Sequence, residues 1–458
     1  MSAKTASRNV DIPFDTYLQL QYDFSLDAIQ RAVSPAGAAK GAMQASPSRV
    51  HPDYFYHWVR DAGLTMSLVN QLYADATDQT QRDSWGTILA DHADFSRRLQ
   101  ETDNPSHGLG EPKFNMNGSA FWENWGRPQN DGPAIRAYAI IEYGHLWAKQ
   151  GGDWSRLYTS EWPATSVIKR DLEYTAHHWE EPSFDVWEEV SGQHFFNFMV
   201  SRRAMREGAS LARQFDDTGA SDYYAQQEDR IASRLDEFWD ATKGYVTTTR
   251  NYHRGLGDKV SNLDTQVLLA SLHASYDDGV YTPESERILA TTEALIEKFS
   301  RLYAINTMNS NPSIGVAIGR YVEDVYDGYG YGEGNPWILA TACVAEIHYR
   351  AVNKWLSSGQ FEITSVNLPF LRRASQTLVN SLPLTMTADS DLRFRQIMKE
   401  LKETGDTYMR RIHKMGRMDL NLYEQWGRES GQSRGAPHLT WSYAAFITAI
   451  RAREQLNL

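Results

Sequence analysis

The sequence has very little cysteine and no long apolar run. Cys343 is the one cysteine among 458 residues, so no intramolecular disulfide can form, and its apolar neighbours predict buried packing. No apolar stretch approaches the roughly 20 residues that a transmembrane helix needs, so we expect no membrane partner. The start at Met1 leads into no apolar signal region. We expect a secreted protein whose signal peptide is absent from this sequence, with an intracellular location left open.

Basic residues are outnumbered by acidic ones, with 46 Lys and Arg against 58 Asp and Glu. The formal net charge is −12 and no basic stripe is present, which disfavours nucleic acids as partners. A neutral substrate suits this balance better than a phosphorylated one, since Gly108 and Gly110 follow no strand and lead into no phosphate-binding loop. His51 and His57 match no common metal-ligand spacing. We therefore expect no metal and no cofactor.

Aromatic residues, in contrast, are abundant. They make up 12% of the chain, with 14 Trp and 24 Tyr, and such rings suit a ligand that is flat and hydroxylated. Many of them fall in long connections that also carry Gly, Pro and acidic residues: 51–60, 103–132, 180–196, 306–335 and 417–440. Long connections in a compact domain are usually functional, so we expect these loops to converge on one face.

Helical periodicity dominates the rest of the chain. Apolar residues recur at helical spacing, and capping residues precede first-turn prolines at 131–133 and 335–336. About a dozen helices are predicted: 61–75, 82–101, 133–150, 164–179, 197–215, 220–239, 263–276, 283–302, 336–355, 365–381, 390–414 and 440–455. The best strand candidate is 244–249. No linker or composition break divides the chain, so we expect one all-α domain over residues 1–458.

The most informative segment places Glu188 and Glu189 beside Trp187. Adjacent carboxylates repel each other, and acids held among aromatic rings lose water, so both effects raise a carboxyl pKa. A raised pKa keeps a proton available for general-acid chemistry. The alternative is that one Glu is solvated, the other forms an ion pair, and the Trp belongs to the core.

Other loops repeat the combination of charge and aromatic rings. Arg60 and Asp61 offer a fork of donors beside a bidentate acceptor, which matches vicinal sugar hydroxyls, and Tyr54 and Trp58 could stack on a sugar ring. The alternative is a structural ion pair at a helix start. Similar loops carry Trp125, for which turn chemistry with one buried Trp is the alternative, and Arg320, for which a solvated charge cluster is the alternative. A further loop carries Glu424, an acid next to a Trp in a Gly-rich stretch.

The ordered set of motifs resembles fungal glucoamylases of glycoside hydrolase family 15. The matching segments follow the family order over roughly residues 15 to 455: PDYFY (52–56) with Trp58 and Arg60-Asp61, GLGEPKFN (108–115), WGRPQ (125–129), WEE (187–189), GRY (319–321) with Glu323-Asp324, and LTWS (439–442). The resemblance implies an (α/α)6 barrel of six inner and six outer helices. The 326–334 stretch resembles yeast-type members, and we expect a yeast-like member without a separate starch-binding domain.

The resemblance also implies a role for each site residue. Glu188 matches the general acid, Glu424 the general base, and Glu189 a sugar contact on the leaving-group side. The remaining matches are substrate-binding residues: the polar residues Arg60, Asp61 and Arg320, and the aromatic residues Tyr54, Trp58, Trp125, Trp187 and Trp337.

The expected activity is inverting exo-hydrolysis of α-1,4-glucans by a monomer, with release of β-D-glucose and slower α-1,6 cleavage possible. Inversion needs two carboxylates roughly 6.5–9.5 Å apart, with room for a water between them. Glu188 and Glu189 are sequence neighbours and cannot flank a sugar on both faces, so the partner must come from a distant loop such as that of Glu424. The alternatives are a trehalase or glucodextranase on the same barrel, and a carbohydrate-binding protein that has lost catalysis.

Overall fold

The structure is a computed structural model. It describes residues 12–257, 259–308, 311–378, 384–388 and 393–458.

Fourteen α-helices form within these ranges. They are α1 (Phe14–Ala32), α2 (Val59–Asp75), α3 (Gln79–Leu99), α4 (Asp131–Ala148), α5 (Val167–His178), α6 (Phe195–Gln214), α7 (Thr218–Leu235), α8 (Gln266–Ala274), α9 (Glu286–Leu302), α10 (Ala304–Thr307), α11 (Ile338–Ser358), α12 (Leu368–Ala374), α13 (Arg393–Met415) and α14 (Thr440–Glu454). Trp154–Arg156 and Asp236–Phe238 form single 3-10 turns.

The strands are short and antiparallel. They are β1 (Tyr56–Trp58), β2 (Lys113–Asn115), β3 (Ser183–Phe184), β4 (Val190–His194), β5 (Trp239–Asp240), β6 (Tyr245–Val246), β7 (Thr249–Gly255), β8 (Gln360–Ile363), β9 (Leu384–Thr387), β10 (Gln425–Trp426) and β11 (Ser433–Arg434). Their sheets are β1-β2, β3-β4-β7, β5-β6, β8-β9 and β10-β11. The predicted strand at 244–249 is divided between β6 and β7, which belong to different sheets.

The helices of the described chain form two concentric rings. The inner ring runs α2, α4, α6, α8, α11, α14 and closes where α14 packs on α2. The outer ring consists of α1, α3, α5, α7, α9 and α13, each packed against an inner helix. This arrangement confirms the predicted (α/α)6 barrel. Inner helices meet neighbours on most sides, so α11 buries an unbroken run from Ile338 to Tyr349 that includes Cys343.

The barrel has twelve helices, which agrees with the predicted number. One of these helices was not predicted, however, and one predicted helix does not belong to the barrel. The outer helix α1 was not predicted, because two residues on its buried face are the polar Gln21 and Ser25. Gln21 Nε2 donates to the Leu420 carbonyl at 3.0 Å, and the Ser25 hydroxyl donates to the Gln21 carbonyl at 2.6 Å. These hydrogen bonds satisfy the buried polar groups of Gln21 and Ser25. Because both residues are polar, the sequence of α1 lacks the regular spacing of apolar residues that predicts a helix.

The predicted helix at 365–381 is not a barrel helix. It corresponds to the shorter α12, which packs against α9 and α13, while residues 379–381 of the prediction lie outside the described residues. The start of the predicted helix at 390–414 and the chain start at Met1 also lie outside the described residues. Among the helices of the described residues, none is both long enough and apolar enough to cross a membrane.

A buried ion pair joins the two rings. Arg136 on α4 donates from Nε and Nη2 to the two carboxylate oxygens of Asp171 on α5, at 2.7 and 2.5 Å. The two residues are 2% and 0% exposed. Burial raises the pKa of Asp171, and Arg136 opposes that rise. Loss of either partner would leave an uncompensated charge in the protein interior.

We expect Asp171→Asn to lower the free energy of unfolding by about 3–5 kcal/mol, because the Arg136 charge would stay buried without its counter-ion. The measurement is urea unfolding followed by circular dichroism. Asp94→Asn is the matched control, since Asp94 faces Arg156 in an exposed pair and its loss should cost about 1 kcal/mol or less. Equal losses for the two variants would contradict the prediction.

Candidate active site

A pocket of about 300 Å³ lies at the end of the barrel where the inner helices begin. All eleven residues predicted for the site line it: Tyr54, Trp58, Arg60, Asp61, Trp125, Trp187, Glu188, Glu189, Arg320, Trp337 and Glu424. The structure therefore brings together residues that are up to 370 positions apart in the chain. Their individual roles stay predictions.

The Glu188 carboxylate is held through one of its oxygens. Oε1 accepts hydrogen bonds from Trp58 Nε1 at 2.8 Å and Gln129 Nε2 at 2.9 Å, and Arg60 Nη2 lies 3.7 Å away. Within the described structure no hydrogen bond reaches Oε2. The backbone of Glu188 has a φ of 66°, in the left-handed region that non-glycine residues rarely adopt. Glu188 is therefore oriented by specific contacts on both its side chain and its loop.

Asp185 holds this turn through hydrogen bonds to its backbone. Its Oδ1 accepts the backbone N–H groups of Glu189 and Val190 at 2.8 and 3.1 Å, and the Glu188 N–H donates to the Asp185 carbonyl. Although burial opposes ionisation, Lys259, whose Nζ lies 2.7 Å away, and His194 hold the pKa of Asp185 well below its usual range. A permanently ionised Asp185 can stabilise the strained turn.

Glu424 has a much drier environment. It is fully buried, and its Oε2 accepts a hydrogen bond from the Tyr326 hydroxyl at 3.4 Å. Its Oε1 is buried without a hydrogen-bond partner among the described residues. Burial raises the pKa of Glu424 to about 8, and Tyr54, Arg320 and Tyr326 oppose the rise. The two Tyr hydroxyls are themselves 2.9 Å apart.

Arg60 and Asp61 begin helix α2 and face the same pocket. Arg60 Nη1 donates to Gln129 Oε1 at 2.8 Å and to Asp131 Oδ2 at 3.0 Å, which fixes the guanidinium. Asp61 lies 3.7 Å from Arg60 Nε. Burial raises the pKa of Asp61 to about 6 against the attraction of Arg60, with Glu188 adding to the rise. Apart from Arg60, no side chain of the described residues pairs with the Asp61 carboxylate, so Asp61 keeps acceptor capacity for a ligand.

The structure separates Glu189 from its neighbour Glu188. Glu189 Oε1 accepts from Arg320 Nη2 at 2.6 Å and Oε2 accepts from the Tyr321 hydroxyl at 2.6 Å, while Lys259 Nζ lies 3.6 Å away. Glu188 has none of these partners. The repulsion considered for adjacent carboxylates is therefore relieved, because the two side chains turn to different cations. Both carboxylate oxygens of Glu189 therefore already accept a hydrogen bond, one from Arg320 and one from Tyr321.

Indole rings line the walls of the pocket. The rings of Trp187 and Trp337 lie 5.5 Å apart, and Trp187 Nε1 donates to Asp264 at 2.8 Å. Trp337 and Trp441 each bury an Nε1 that has no partner in the part of the chain that the structure describes. Trp125 stands at the rim and is 39% exposed. Two buried indole donors are thus left for a ligand with hydroxyl groups.

The sequence interpretation missed several residues of the site. Tyr326 and Trp441 line the pocket, and both occur in segments that were noted for aromatic residues. Gln129 belongs to the WGRPQ motif, so its contact with Glu188 could have been suspected. Lys259 and Asp264 carry no motif signal, because their importance depends on the loops that pack against them.

Comparison with known proteins decides the family. The family model described as "Glycosyl hydrolases family 15" matches residues 23–451, which is most of the chain.

The chain belongs to glycosyl hydrolase family 15.

The relatives of this family 15 chain agree with the resemblance predicted from the motifs. It is 37% identical to "Glucoamylase" of Blastobotrys adeninivorans over 92% of this chain and 68% of that protein. The structure titled "Glycoside Hydrolase Family 15 Glucoamylase from Hypocrea jecorina" matches with a TM-score of 0.87 and 31% identity, over 96% of this chain and 72% of that one. The "Glucoamylase from Saccharomycopsis fibuligera" matches with a TM-score of 0.85 and 29% identity, over 99% and 98% of the two chains. The predicted family is confirmed.

We expect Gly435→Ala to reduce hydrolysis of maltoheptaose by about tenfold or more, because small displacements of a reacting group are costly. A Cβ at Gly435 would lie 2.1 Å from Glu424 Oε2, so the carboxylate would have to move. Steady-state glucose release is the measurement.

Gly359→Ala is the matched control for this prediction. Gly359 has a φ of 69°, close to the 73° of Gly435, but a Cβ there would meet no atom within 4 Å. Both variants therefore carry the same kind of backbone strain, and only Gly435→Ala disturbs Glu424. A variant at Gly435 with the activity of the control would contradict the steric argument.

Proposed function

We propose that this family 15 chain is an inverting, exo-acting glucan 1,4-α-glucosidase that releases β-D-glucose from the non-reducing ends of α-1,4-glucans. The observation that carries the proposal is one pocket lined by two carboxylates with opposite surroundings. Glu188 accepts two hydrogen bonds from nitrogen donors beside the Arg60 guanidinium, whereas Glu424 is buried and has one oxygen without a partner among the described residues. Different environments allow two residues of the same type to serve as acid and base.

Glu188 acts as the general acid. Its Oε1 accepts two hydrogen bonds, so the transferable proton resides on Oε2, which has no hydrogen bond in the described residues. Oε2 donates this proton to the glycosidic oxygen as the bond from that oxygen to the anomeric carbon breaks. Trp58 and Gln129 then stabilise the carboxylate that forms.

Glu424 acts as the general base. In its ionised form Oε1 accepts a proton from water, and the water oxygen bonds to the anomeric carbon on the face opposite the leaving group. One proton therefore leaves Glu188 for the departing sugar and one reaches Glu424 from water, so the charges balance. The attacking water fills the empty acceptor site on Oε1 and thereby favours the carboxylate over the protonated acid.

The end sugar of the chain is held by the charged wall of the pocket. Asp61 offers acceptor oxygens and Arg320 offers Nη1, which has no hydrogen-bond partner among the described residues. The inner helices pack below this wall, so the substrate enters through the rim at Trp125. This geometry supports release of one sugar unit from a chain end. Slower α-1,6 cleavage belongs to the proposal as well.

The rival activities act on other α-glucosidic bonds. A trehalase or a glucodextranase on this barrel would prefer trehalose or dextran, and a binding protein without catalysis would hydrolyse none of the sugars. A panel of maltose, maltoheptaose, isomaltose, trehalose and dextran separates these cases. Preference for trehalose or dextran over maltoheptaose would overturn the proposed specificity.

Replacing either carboxylate should remove catalysis while leaving sugar binding. We expect Glu188→Gln and Glu424→Gln each to lower kcat by at least about a hundredfold, since each removes one proton transfer. Proton NMR of the first product from maltoheptaose should show β-glucose in the wild type. Near-normal turnover of either variant, or α-glucose as the first product, would sink the proposed mechanism.

The pH dependence should respond to the hydroxyl next to Glu424. The hydrogen bond from Tyr326 favours the carboxylate, so its removal raises the pKa of Glu424 further. The base works only when it is ionised. A base with a higher pKa becomes protonated, and therefore inactive, at a higher pH. We therefore expect Tyr326→Phe to move the acid limb of the kcat/KM profile to higher pH, as measured on maltoheptaose.

Tyr331→Phe controls for this experiment, because Tyr331 lies in the same loop and is 84% exposed. Its acid limb should coincide with that of the wild type. A limb that stays in place or moves to lower pH in Tyr326→Phe would rule out Glu424 as the base that sets it.

Three further properties are part of the proposal. We propose one catalytic domain over residues 1–458, a monomer, and action outside the cell. The net charge of −12 supports the monomer because it opposes self-association. A mass near twice 52.2 kDa in light scattering would contradict the monomer, and retention in washed cells would contradict the extracellular location.

A further inference from the structure

Lys113 is a buried lysine enclosed by aromatic rings at the edge of the pocket. It is 2% exposed. Its Nζ lies 3.3 Å from the ring centroid of Trp125, 4.0 Å from that of Phe121, 4.5 Å from that of Tyr56 and 4.6 Å from that of Trp58. In the described residues no hydrogen bond or ion pair reaches this Nζ. We call these four rings and Lys113 the aromatic cage.

The backbone explains how the aromatic cage assembles. Lys113 on β2 is paired directly with Trp58 on β1, and Tyr56 lies two residues earlier on the same strand. Directly opposed residues of an antiparallel pair point to the same face, as do alternate residues of one strand. The connection after β2 then supplies Phe121 and Trp125. The cage is therefore built from two loops that the barrel brings together.

No carboxylate of the described residues forms an ion pair with Lys113. Burial lowers the pKa of Lys113 to about 8, and the charge of Arg127 lowers it further. The carboxylates of Glu188, Asp53 and Glu123 oppose this change. Lys259, the other buried lysine beside the pocket, differs because Asp185, Glu189 and Asp264 all lie within 3.6 Å of its Nζ. Carboxylates raise the pKa of Lys259, whereas Lys113 depends on the faces of aromatic rings.

We propose that Lys113 is a positioning residue for catalysis, whose ammonium fixes the indoles of Trp58 and Trp125 beside Glu188. The inference rests on the proposed function of Glu188, but the cage itself is a separate structural claim. A cation over an indole attracts the ring face, and the attraction is strongest when water is excluded. Trp58 donates from Nε1 to Glu188, so a displaced Trp58 would release the general acid.

The cation also acts on Glu188 through the ring. A positive charge over the Trp58 face draws electron density from the indole and strengthens Nε1–H as a donor. The carboxylate of Glu188 that forms after proton transfer gains most from this donor, because hydrogen bonds to ions are the stronger ones. Lys113 therefore contributes to the charged state that the reaction creates without touching the substrate.

The kinetic test compares two substitutions of Lys113 at pH 5, where its side chain is charged. Lys113→Met keeps an apolar chain among the rings and removes the cation, and we expect kcat/KM on maltoheptaose to fall about tenfold. Lys113→Arg keeps the cation and should recover most of that loss. Lys243→Met is the matched control, since Lys243 lies 5.9 Å from the Tyr245 ring at the surface and should leave the kinetics unchanged.

A spectroscopic test reports the aromatic cage independently of activity. In protein labelled with 5-fluorotryptophan, the resonance of Trp125 is assigned by its loss in Trp125→Phe. Its fluorine shift should titrate with a midpoint near pH 8 in the wild type and in Glu424→Gln. The same titration should vanish in Lys113→Met and in Lys113→Arg, because neither side chain changes charge in this range.

The outcomes separate the two claims. A Trp125 titration that persists in Lys113→Met, or that disappears in Glu424→Gln, would overturn the role of Lys113 in the cage. Wild-type kcat/KM in a folded Lys113→Met protein would overturn its role in catalysis. If the wild type hydrolysed no α-glucan, the proposed function would fail while the fluorine titration could still support the cage.

Discussion

The meeting of six helix N-termini at one end of the barrel is the constraint on which the site depends. Among the described elements, each inner helix starts close to a residue that contacts or supports the pocket. Helix α2 follows Trp58, α11 follows Trp337, α14 follows Leu439, and Asp131 opens α4. Helix N-termini carry partial positive charge and unpaired N–H groups. One end of the barrel is therefore suited to carboxylates and to ligands rich in oxygen, and the loops that enter the helices form its walls.

Within that setting, the two proposed catalytic carboxylates differ in solvation and in partners. Glu188 sits on a strained turn with nitrogen donors on one oxygen, so its orientation is determined, and its second oxygen has no hydrogen-bond partner among the described residues. Glu424 is enclosed by Tyr54 and Tyr326 and by its own loop, so it lacks strong donors and its pKa rises. The same functional group thus acquires two characters from its neighbours, and the attacking water has to offset the raised pKa of Glu424 before this carboxyl can act as the proposed base.

Buried charges around the pocket are mostly paired, which shows how the fold tolerates them. Arg320 is held between Asp324 and Glu189, and Lys259 neutralises the Asp185 carboxylate, which supports the turn that carries Glu188. Burying a charge is costly unless a partner offsets it. Lys113 departs from this rule, since aromatic faces take the place of a counter-ion. That difference is the basis of the positioning role proposed for Lys113.

The sequence by itself determined the helical class, most helix positions and eleven of the residues that line the pocket, because apolar periodicity and the ordered motifs are local signals. It did not reveal helix α1, whose buried face carries Gln21 and Ser25, nor that α12 lies outside the barrel rings. Only the tertiary structure decided which carboxylate meets which cation, how dry Glu424 is, and that Lys113 faces four rings. Those properties arise from contacts between distant loops, and neither burial nor a pKa can be assigned before the contacts are known.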